Sequence, residues 1–328
     1  MYKTTQERGN WGMDLESIFN NLKKMNKDEI KKSVTFSLIK KAENDKEKNL
    51  FYEFDIEGDV QLDLFDLVRK YFNDKRIRDR ATQKYDAVIQ RRGDKGFYLI
   101  KKDDYTQVSN FFEAIKNDTR IKTSKDFDID DFIAYVVTIE YSSNKYVYYI
   151  GEISALTSLN KTKFIGNITD KKLKKISEKN LVGFNQTMAM FIHDNEMLIN
   201  QIRIFEKLCN MHTEFKKIAD ELLETISSYK VIDNFEEFKN EVEIDDKFSR
   251  RLAKLSETPD RVIAFLKNIE NAKDVLDSPD FKDKFKGIIL QENKLVYDKT
   301  MTQQFITLIS DSAYESIVGK QKRLDETF

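Results

Sequence analysis

Glycine and proline are scarce in this chain, with only 10 glycines and 2 prolines among 328 residues. Sandwiches and barrels built from many short strands need frequent Gly and Pro turns, so the composition disfavours those folds. The hydrophobic content of 40%, with 12% aromatic residues, is sufficient for a core and excludes a disordered chain. Both prolines follow a cap residue, and each is expected to begin a helix, at Pro259 and at Pro279. We therefore expect an α-rich or α+β fold.

Hydrophobic periodicity divides the chain into a tail, residues 1–12, and two regions. The N-terminal region, residues 13–170, combines helices with strands. The first helix is expected after the cap residue Asp14, and the clearest strands are residues 132–141 and 146–153. These strands are rich in β-branched and aromatic residues, and the short turn between them predicts a small antiparallel sheet. A stretch without apolar periodicity follows, and we place the domain boundary there, near residue 170.

The C-terminal region, residues 171–328, is predicted to be rich in helices. It opens with a buried β-hairpin at residues 186–200, and His193 in its turn is expected to be solvated. One long helix should then cover residues 202–227, because its apolar residues form a continuous stripe. Cys209 in that stripe is expected to be a small buried hydrophobe. The predicted fold class is thus α+β.

Several functional classes are disfavoured by what the sequence lacks. There is one cysteine, and neither a signal peptide nor an apolar run long enough to span a bilayer is apparent, so a cytoplasmic location is expected. Two histidines and one cysteine make a zinc site built from His and Cys ligands implausible. Phosphate-loop, GxGxxG, HExxH and GxSxG motifs are missing. We expect no enzymatic activity, no metal and no cofactor, and a divergent metal-dependent nuclease is the less favoured alternative.

Charge is distributed unevenly, although the net charge is −1. Between Arg69 and Lys102, 12 Lys and Arg residues accompany four Asp and Glu residues, and residues 161–179 hold seven against two. Because the nearby anions are too few to neutralise these cations, the pattern favours contact with phosphate groups. The expected DNA-binding residues are Arg69, Lys70, Lys75, Arg76, Arg78, Arg80, Arg91 and Arg92, with Lys171, Lys172, Lys174 and Lys175 as an auxiliary site. Two alternatives remain open: a solvated surface paired with the protein's own acids, or a docking strip for an acidic protein or anionic lipid.

Four segments resemble the family of the B protein of the bacterial Kiwa anti-phage defence system. They are residues 132–139, 191–206, 250–255 and 308–319. The resemblance is strongest in the C-terminal part of the chain and weak in the first 120 residues. Most of the matching positions are hydrophobic, so they indicate the fold more than an activity.

The resemblance implies a cytosolic, non-enzymatic DNA-binding effector that interferes with phage DNA replication and late transcription. It also implies a membrane-embedded partner protein and a homodimer. It identifies no individual binding residue. The expected DNA-contacting positions therefore rest on charge alone.

Overall fold

The computed structural model describes residues 13–40, 49–88, 96–116, 121–122, 129–153, 166–169, 172–175, 187–315 and 322–324. The chain divides into two compact units. Unit 1 comprises residues 1–85 and 93–210, and unit 2 comprises residues 86–92 and 211–328. Helices occur together with an antiparallel-rich sheet, which confirms the α+β class. The predicted tail lies outside the described residues. Near the predicted boundary at residue 170, only the backbone of two short strands is described.

Unit 1 contains, in chain order, α1 (Leu15–Lys24), α2 (Lys27–Ser33), β1 (Val34–Lys40), β2 (Leu50–Phe54), α3 (Gly58–Asn73), α4 (Lys75–Arg78), β3 (Thr82–Lys84), β4 (Phe97–Lys101), α5 (Thr106–Lys116), β5 (Ile121–Lys122), β6 (Phe132–Ser142), β7 (Lys145–Glu152), β8 (Gly166–Thr169), β9 (Lys172–Lys175), β10 (Met190–His193), β11 (Glu196–Ile199) and α6 (Ile202–Leu208). Local capping sets the first two helices. The carboxylate of Asp14 accepts a hydrogen bond from the Ser17 amide before α1, and Asn26 and Glu29 form a capping box at α2.

The core of unit 1 is a nine-stranded sheet in the order β3-β4-β11-β10-β7-β6-β1-β2-β5. Its seven inner strands pair antiparallel, and the two short edge strands, β3 and β5, pair parallel with their neighbours. The predicted hairpin at residues 186–200 supplies β10 and β11, which lie between β7 and β4. The hairpin is buried as expected, but it belongs to this large sheet, so it does not open a separate region.

Helices pack on both faces of the sheet. On one face, the Phe72 ring of α3 lies 4.7 Å from the Phe191 ring of β10, measured between ring centroids. On the other face, Phe111 of α5 lies 6.1 Å from Phe51 of β2. Successive side chains of a strand point to opposite faces, so strands covered on both sides are apolar throughout. This explains why the middle of β6 is buried at consecutive positions.

Unit 2 contains α7 (His212–Ser228), β12 (Ile232–Asp233), α8 (Phe235–Ile244), α9 (Asp246–Leu255), α10 (Pro259–Lys267), α11 (Ala272–Leu276), β13 (Ile289–Gln291), β14 (Lys294–Val296), α12 (Thr302–Ile309), β15 (Ala313–Glu315) and β16 (Lys322–Leu324). The strands β12, β14 and β13 form a small sheet. At the centre of the apolar core the rings of Phe238, Tyr297 and Phe305 lie 5.2 Å apart pairwise. This aromatic cluster joins α8 to α12 within a larger apolar core.

Two helix predictions require correction. The single long helix over residues 202–227 is in fact two helices, α6 and α7, because Asn210 between them adopts a left-handed conformation with φ of +56°. Asparagine tolerates this conformation better than most residues, and it ends the helix although the apolar stripe continues. Pro259 begins α10 as predicted, whereas Pro279 lies in a turn in which the Phe281 amide donates to the Ser278 carbonyl at 3.0 Å.

Candidate nucleic-acid interface

The predicted DNA-binding residues are distributed over described and undescribed parts of the chain. Three lie outside the described residues: Arg91, Arg92 and Lys171. For three more only the backbone of β9 is described: Lys172, Lys174 and Lys175. The remaining six are all placed, in α3, α4 and the residues that follow: Arg69, Lys70, Lys75, Arg76, Arg78 and Arg80.

Arg69 and Lys70 lie near the C-terminal end of α3. The Arg69 guanidinium approaches the Asp66 carboxylate at 2.8 Å, one helical turn earlier, and the two side chains are 46% and 39% exposed. Lys70 is exposed and forms no ion pair with any described residue. Cations here also interact favourably with the partial negative charge of the helix C-terminus. Lys70 therefore remains available to an external anion.

Asp74 connects α3 to α4 and holds Arg76. Its carboxylate accepts the Arg76 amide at 2.9 Å and both Nε and Nη2 of the same arginine, at 3.1 and 2.8 Å. The Arg76 side-chain hydrogen bond, followed by the backbone one, lowers the pKa of Asp74. The Arg76 side chain is still 90% exposed. Lys75 beside it is exposed and has no ion-pair partner among the described residues.

Arg78 is used inside the protein. Its Nε lies 2.7 Å from Glu16 of α1, and its Nη1 donates to the backbone carbonyls of Phe72 and Asn73 at the end of α3. The guanidinium also stacks over the Phe19 ring, 4.6 Å from its centroid. Only 14% of the side chain is exposed. Arg78 thus ties α1 to the end of α3, and we exclude it from the proposed DNA-binding surface.

Arg80 is also directed toward the protein. Its Nη1 donates to the Asn200 side chain at 3.1 Å, and its guanidinium lies over the Phe97 ring, 5.2 Å from the centroid. Asn200 in turn donates to the Met188 carbonyl at 2.7 Å. Arg80 therefore fastens the start of β4 to the end of β11, and we exclude it as well.

The positive charge of the segment is partly neutralised by carboxylates that lie outside it. Lys84 Nζ lies 3.2 Å from Asp104, and the Lys102 ammonium donates to Glu113, which raises the pKa of Lys102. The pairs Arg69–Asp66 and Arg78–Glu16 also use carboxylates outside the segment. Counting only the anions within the segment therefore underestimates the available partners. The 12 cations of the segment therefore do not form a uniformly free surface.

Four predicted cations remain exposed at the junction of α3 and α4, and we call this group the α3–α4 basic surface. It consists of Arg69, Lys70, Lys75 and Arg76. These residues lie within eight consecutive positions of the chain. Their ion pairs, where present, are short-range and solvent-exposed, and such pairs are weak. The surface can therefore exchange its own carboxylates for phosphate oxygens at little cost.

Another cationic feature is not evident from the sequence. Lys24, Lys32 and Lys145 line one cleft, although they come from α1, α2 and β7. No charge run contains all three, so the signal appears only when the fold brings them together.

His193 and Cys209 are two titratable residues in the segments that the sequence predicts as a hairpin and a long helix. His193 was expected to be solvated, but its side chain is only 17% exposed and its Nε2 lies 2.7 Å from the Tyr141 hydroxyl. Burial lowers the pKa of His193. Cys209 is buried as expected, and burial raises the pKa of its thiol. Neither feature indicates a nucleophile.

The described residues also bear on metal sites and membrane spans. No group of three or more His, Cys, Asp or Glu side chains among them is placed to hold a metal ion. Every helix in this described part is too short or too polar to cross a bilayer.

Comparison with known proteins gives the class of protein. The model of a protein family that acts in Kiwa anti-phage defence matches residues 129–319, which is more than half of the chain. The match runs from just before β6 to beyond β15. The chain belongs to that family, which is described as Kiwa protein KwaB-like. None of the curated proteins and none of the solved structures compared with the chain matched it. The α3–α4 basic surface precedes the matched range.

Proposed function

We propose that this chain acts in Kiwa defence as a non-enzymatic DNA-binding protein. In this proposal it holds the phosphate backbone irrespective of base sequence and blocks replication or transcription of phage DNA. It works with a membrane-embedded partner and forms a homodimer. The family membership supports the defence role, and the α3–α4 basic surface supports the DNA contact.

The observation that carries the proposal is the pair Lys70 and Lys75. Both are exposed, and neither has an ion-pair partner in the described part of the chain. Arg69 and Arg76 flank them, and each guanidinium can form two parallel hydrogen bonds to a phosphate. Four such contacts release counterions from DNA, so binding is favoured at low salt and weakens as salt rises.

Lack of base specificity follows from the same residues. Phosphate contacts position a protein on DNA but carry no sequence information. Lysine, in particular, acts as a point charge with three rotatable donors. A surface of this composition is therefore expected to bind duplexes of different sequence with similar affinity.

The proposed site is tested by reversing charge at Lys70 and Lys75. The K70E/K75E variant should bind duplex DNA at least 10-fold more weakly than the unmodified protein at low salt, measured by fluorescence anisotropy. A matched control, K282E/K286E, changes the net charge by the same amount at exposed lysines of unit 2. The control should keep most of the affinity. Equal losses in both variants would mean that net charge, not the α3–α4 basic surface, determines binding.

Two further assays separate the proposal from its alternatives. In flotation with vesicles rich in anionic lipid, the protein should stay in the soluble fraction at salt concentrations where it binds DNA. Binding to vesicles but not to DNA would favour a membrane-surface interaction module. Incubation with duplex DNA and Mg²⁺ should leave the DNA intact, and degradation would favour a nuclease.

The proposed assembly has its own test. Light scattering of the purified protein should give twice the mass of one chain, and the protein should co-purify with a membrane-embedded partner. A monomer that purifies alone would contradict this part and leave the DNA proposal to the binding assays.

A further inference from the structure

A cleft of about 620 Å³ opens in unit 1 where three elements meet. The end of α1 contributes Lys24, the last turn of α2 contributes Lys32, and the start of β7 contributes Lys145. Small-molecule sites in proteins commonly have volumes of about 300–1,000 Å³. The cleft is therefore large enough for a ligand of nucleotide size.

The two carboxylates of the cleft, Glu29 and Glu140, are engaged by backbone amides and form no ion pair with its three lysines. Glu29 accepts a hydrogen bond from the Asn26 amide at 2.8 Å, and Glu140 accepts one from the Asn144 amide at 3.0 Å. Each carboxylate thus serves a local backbone turn. The three lysines form no ion pair with any residue that the structure describes. With three lysines against two carboxylates the lining has a formal excess of one positive charge, and its three ammonium groups remain available to an anionic ligand.

Hydroxyl donors lie beside these lysines. Ser142 at the end of β6 and Ser143 in the following turn are exposed and line the cleft. Neither hydroxyl has a hydrogen-bond partner among the described residues. Phosphate oxygens accept hydrogen bonds from hydroxyl and ammonium groups. The lining therefore supplies both kinds of donor that a phosphate requires.

One wall of the cleft is held in place by hydrogen bonds. The strand register shifts between Glu140 and Ser142, so that Tyr141 is the extra residue of a bulge in β6. Its hydroxyl bonds to His193 Nε2 at 2.7 Å, and His193 Nδ1 lies 3.4 Å from the Asp194 carboxylate. Bulges often redirect a side chain next to a functional site. The Tyr141 ring is thereby fixed as a preformed aromatic wall.

We propose that this cleft binds a phosphate-bearing small molecule of nucleotide size, with Lys24, Lys32 and Lys145 facing its phosphate groups. The proposal rests on the geometry of the cleft and does not require the α3–α4 basic surface to bind DNA. It gives the protein a second anion site, able to respond to a soluble ligand.

The proposal is tested by calorimetric titration of the full chain with ATP, with inorganic pyrophosphate and with a short DNA duplex. ATP should bind saturably, and pyrophosphate should compete with it. The variant K24Q/K32Q/K145Q should weaken ATP binding at least 10-fold. The control K27Q/K282Q/K286Q removes the same charge at exposed lysines outside the cleft and should change the affinity less than twofold.

Each other outcome overturns the proposal. Absence of saturable binding of ATP and of pyrophosphate at millimolar concentration would show that the cleft does not hold phosphate. Equal effects of the two triple variants would show that ATP responds only to net charge. If the cleft variant weakens DNA binding and no small ligand binds, the cleft is part of a DNA surface. Melting curves without ligand confirm that both variants fold.

Discussion

Replacement of Arg78 by methionine separates stability from DNA binding. Methionine keeps an unbranched side chain over the Phe19 ring but removes the guanidinium. The protein loses the contact to Glu16 and two hydrogen bonds to carbonyls at the end of α3. The last carbonyls of a helix have no partner within the helix, so they need side chains or water as donors. Water replaces only part of the hydrogen bonding that Arg78 supplies.

The expected destabilisation is about 3 kcal/mol. Hydrogen bonds to charged groups contribute about 1.5–3 kcal/mol each; the one to Phe72 is partly buried, and the one to Asn73 is exposed and contributes less. A cation stacked on an aromatic ring adds about 0.5–2 kcal/mol. Glu16 is exposed, so its ion pair adds little, and water re-forms part of the carbonyl bonding. For a unit of about 200 residues, a loss of about 3 kcal/mol lowers the melting temperature by about 6–12 °C.

The assay is thermal unfolding followed by circular dichroism, with DNA affinity measured on the same samples at 20 °C. The R78M variant should melt earlier and retain DNA affinity within about twofold. The matched variant R76M removes an exposed guanidinium of the same segment and should melt within about 2 °C of the unmodified protein. Unchanged melting of R78M together with a large loss of DNA affinity would refute the structural role given to Arg78.

Two further predictions concern the core and the pH response of unit 1. A Cβ added at Gly151 would lie 2.2 Å from Cζ of the buried Tyr135 ring, so G151A should cost at least about 1–3 kcal/mol in urea denaturation. G58A, where the added atom meets only the end of a flexible lysine side chain, should be nearly neutral, and equal effects of the two would contradict the packing. Burial lowers the pKa of His193 below 6.5, so the unfolded chain binds more protons than the folded protein near that pH. The free energy of unfolding should therefore fall as the pH decreases from about 6.5 through the folded-state pKa. H193Q should flatten this dependence in unfolding experiments between pH 7 and 5, and an unchanged slope would contradict it.

Local signals in the sequence predicted local structure well. Asp14 caps α1 as expected, and residues 132–153 form the β6–β7 pair. The size of the sheet was not predictable in the same way, because it depends on pairing between distant strands. His193 of the hairpin, for example, pairs with Val147 of β7. Hydrophobic periodicity identifies a strand but not its neighbours.

The charged residues show a similar limit. The sequence identifies a concentration of cations, but not which of them have partners elsewhere. Arg78 meets Glu16, which is 62 positions away, and Arg80 meets Asn200, which is 120 positions away. Lys70 and Lys75 are exposed and have no ion-pair partner among the residues that the structure describes, so the distinction between structural and available cations needs the fold.

The salt dependence of DNA binding tests the central claim most directly. With four phosphate contacts, the slope of log K against log salt for duplex DNA should be about −3.6, since each contact contributes about −0.9. Loss of two contacts in K70E/K75E should make the slope less steep by about 1.8, and K282E/K286E should leave it unchanged. A slope near zero for the unmodified protein, or the same slope in all three proteins, would contradict DNA binding by the α3–α4 basic surface.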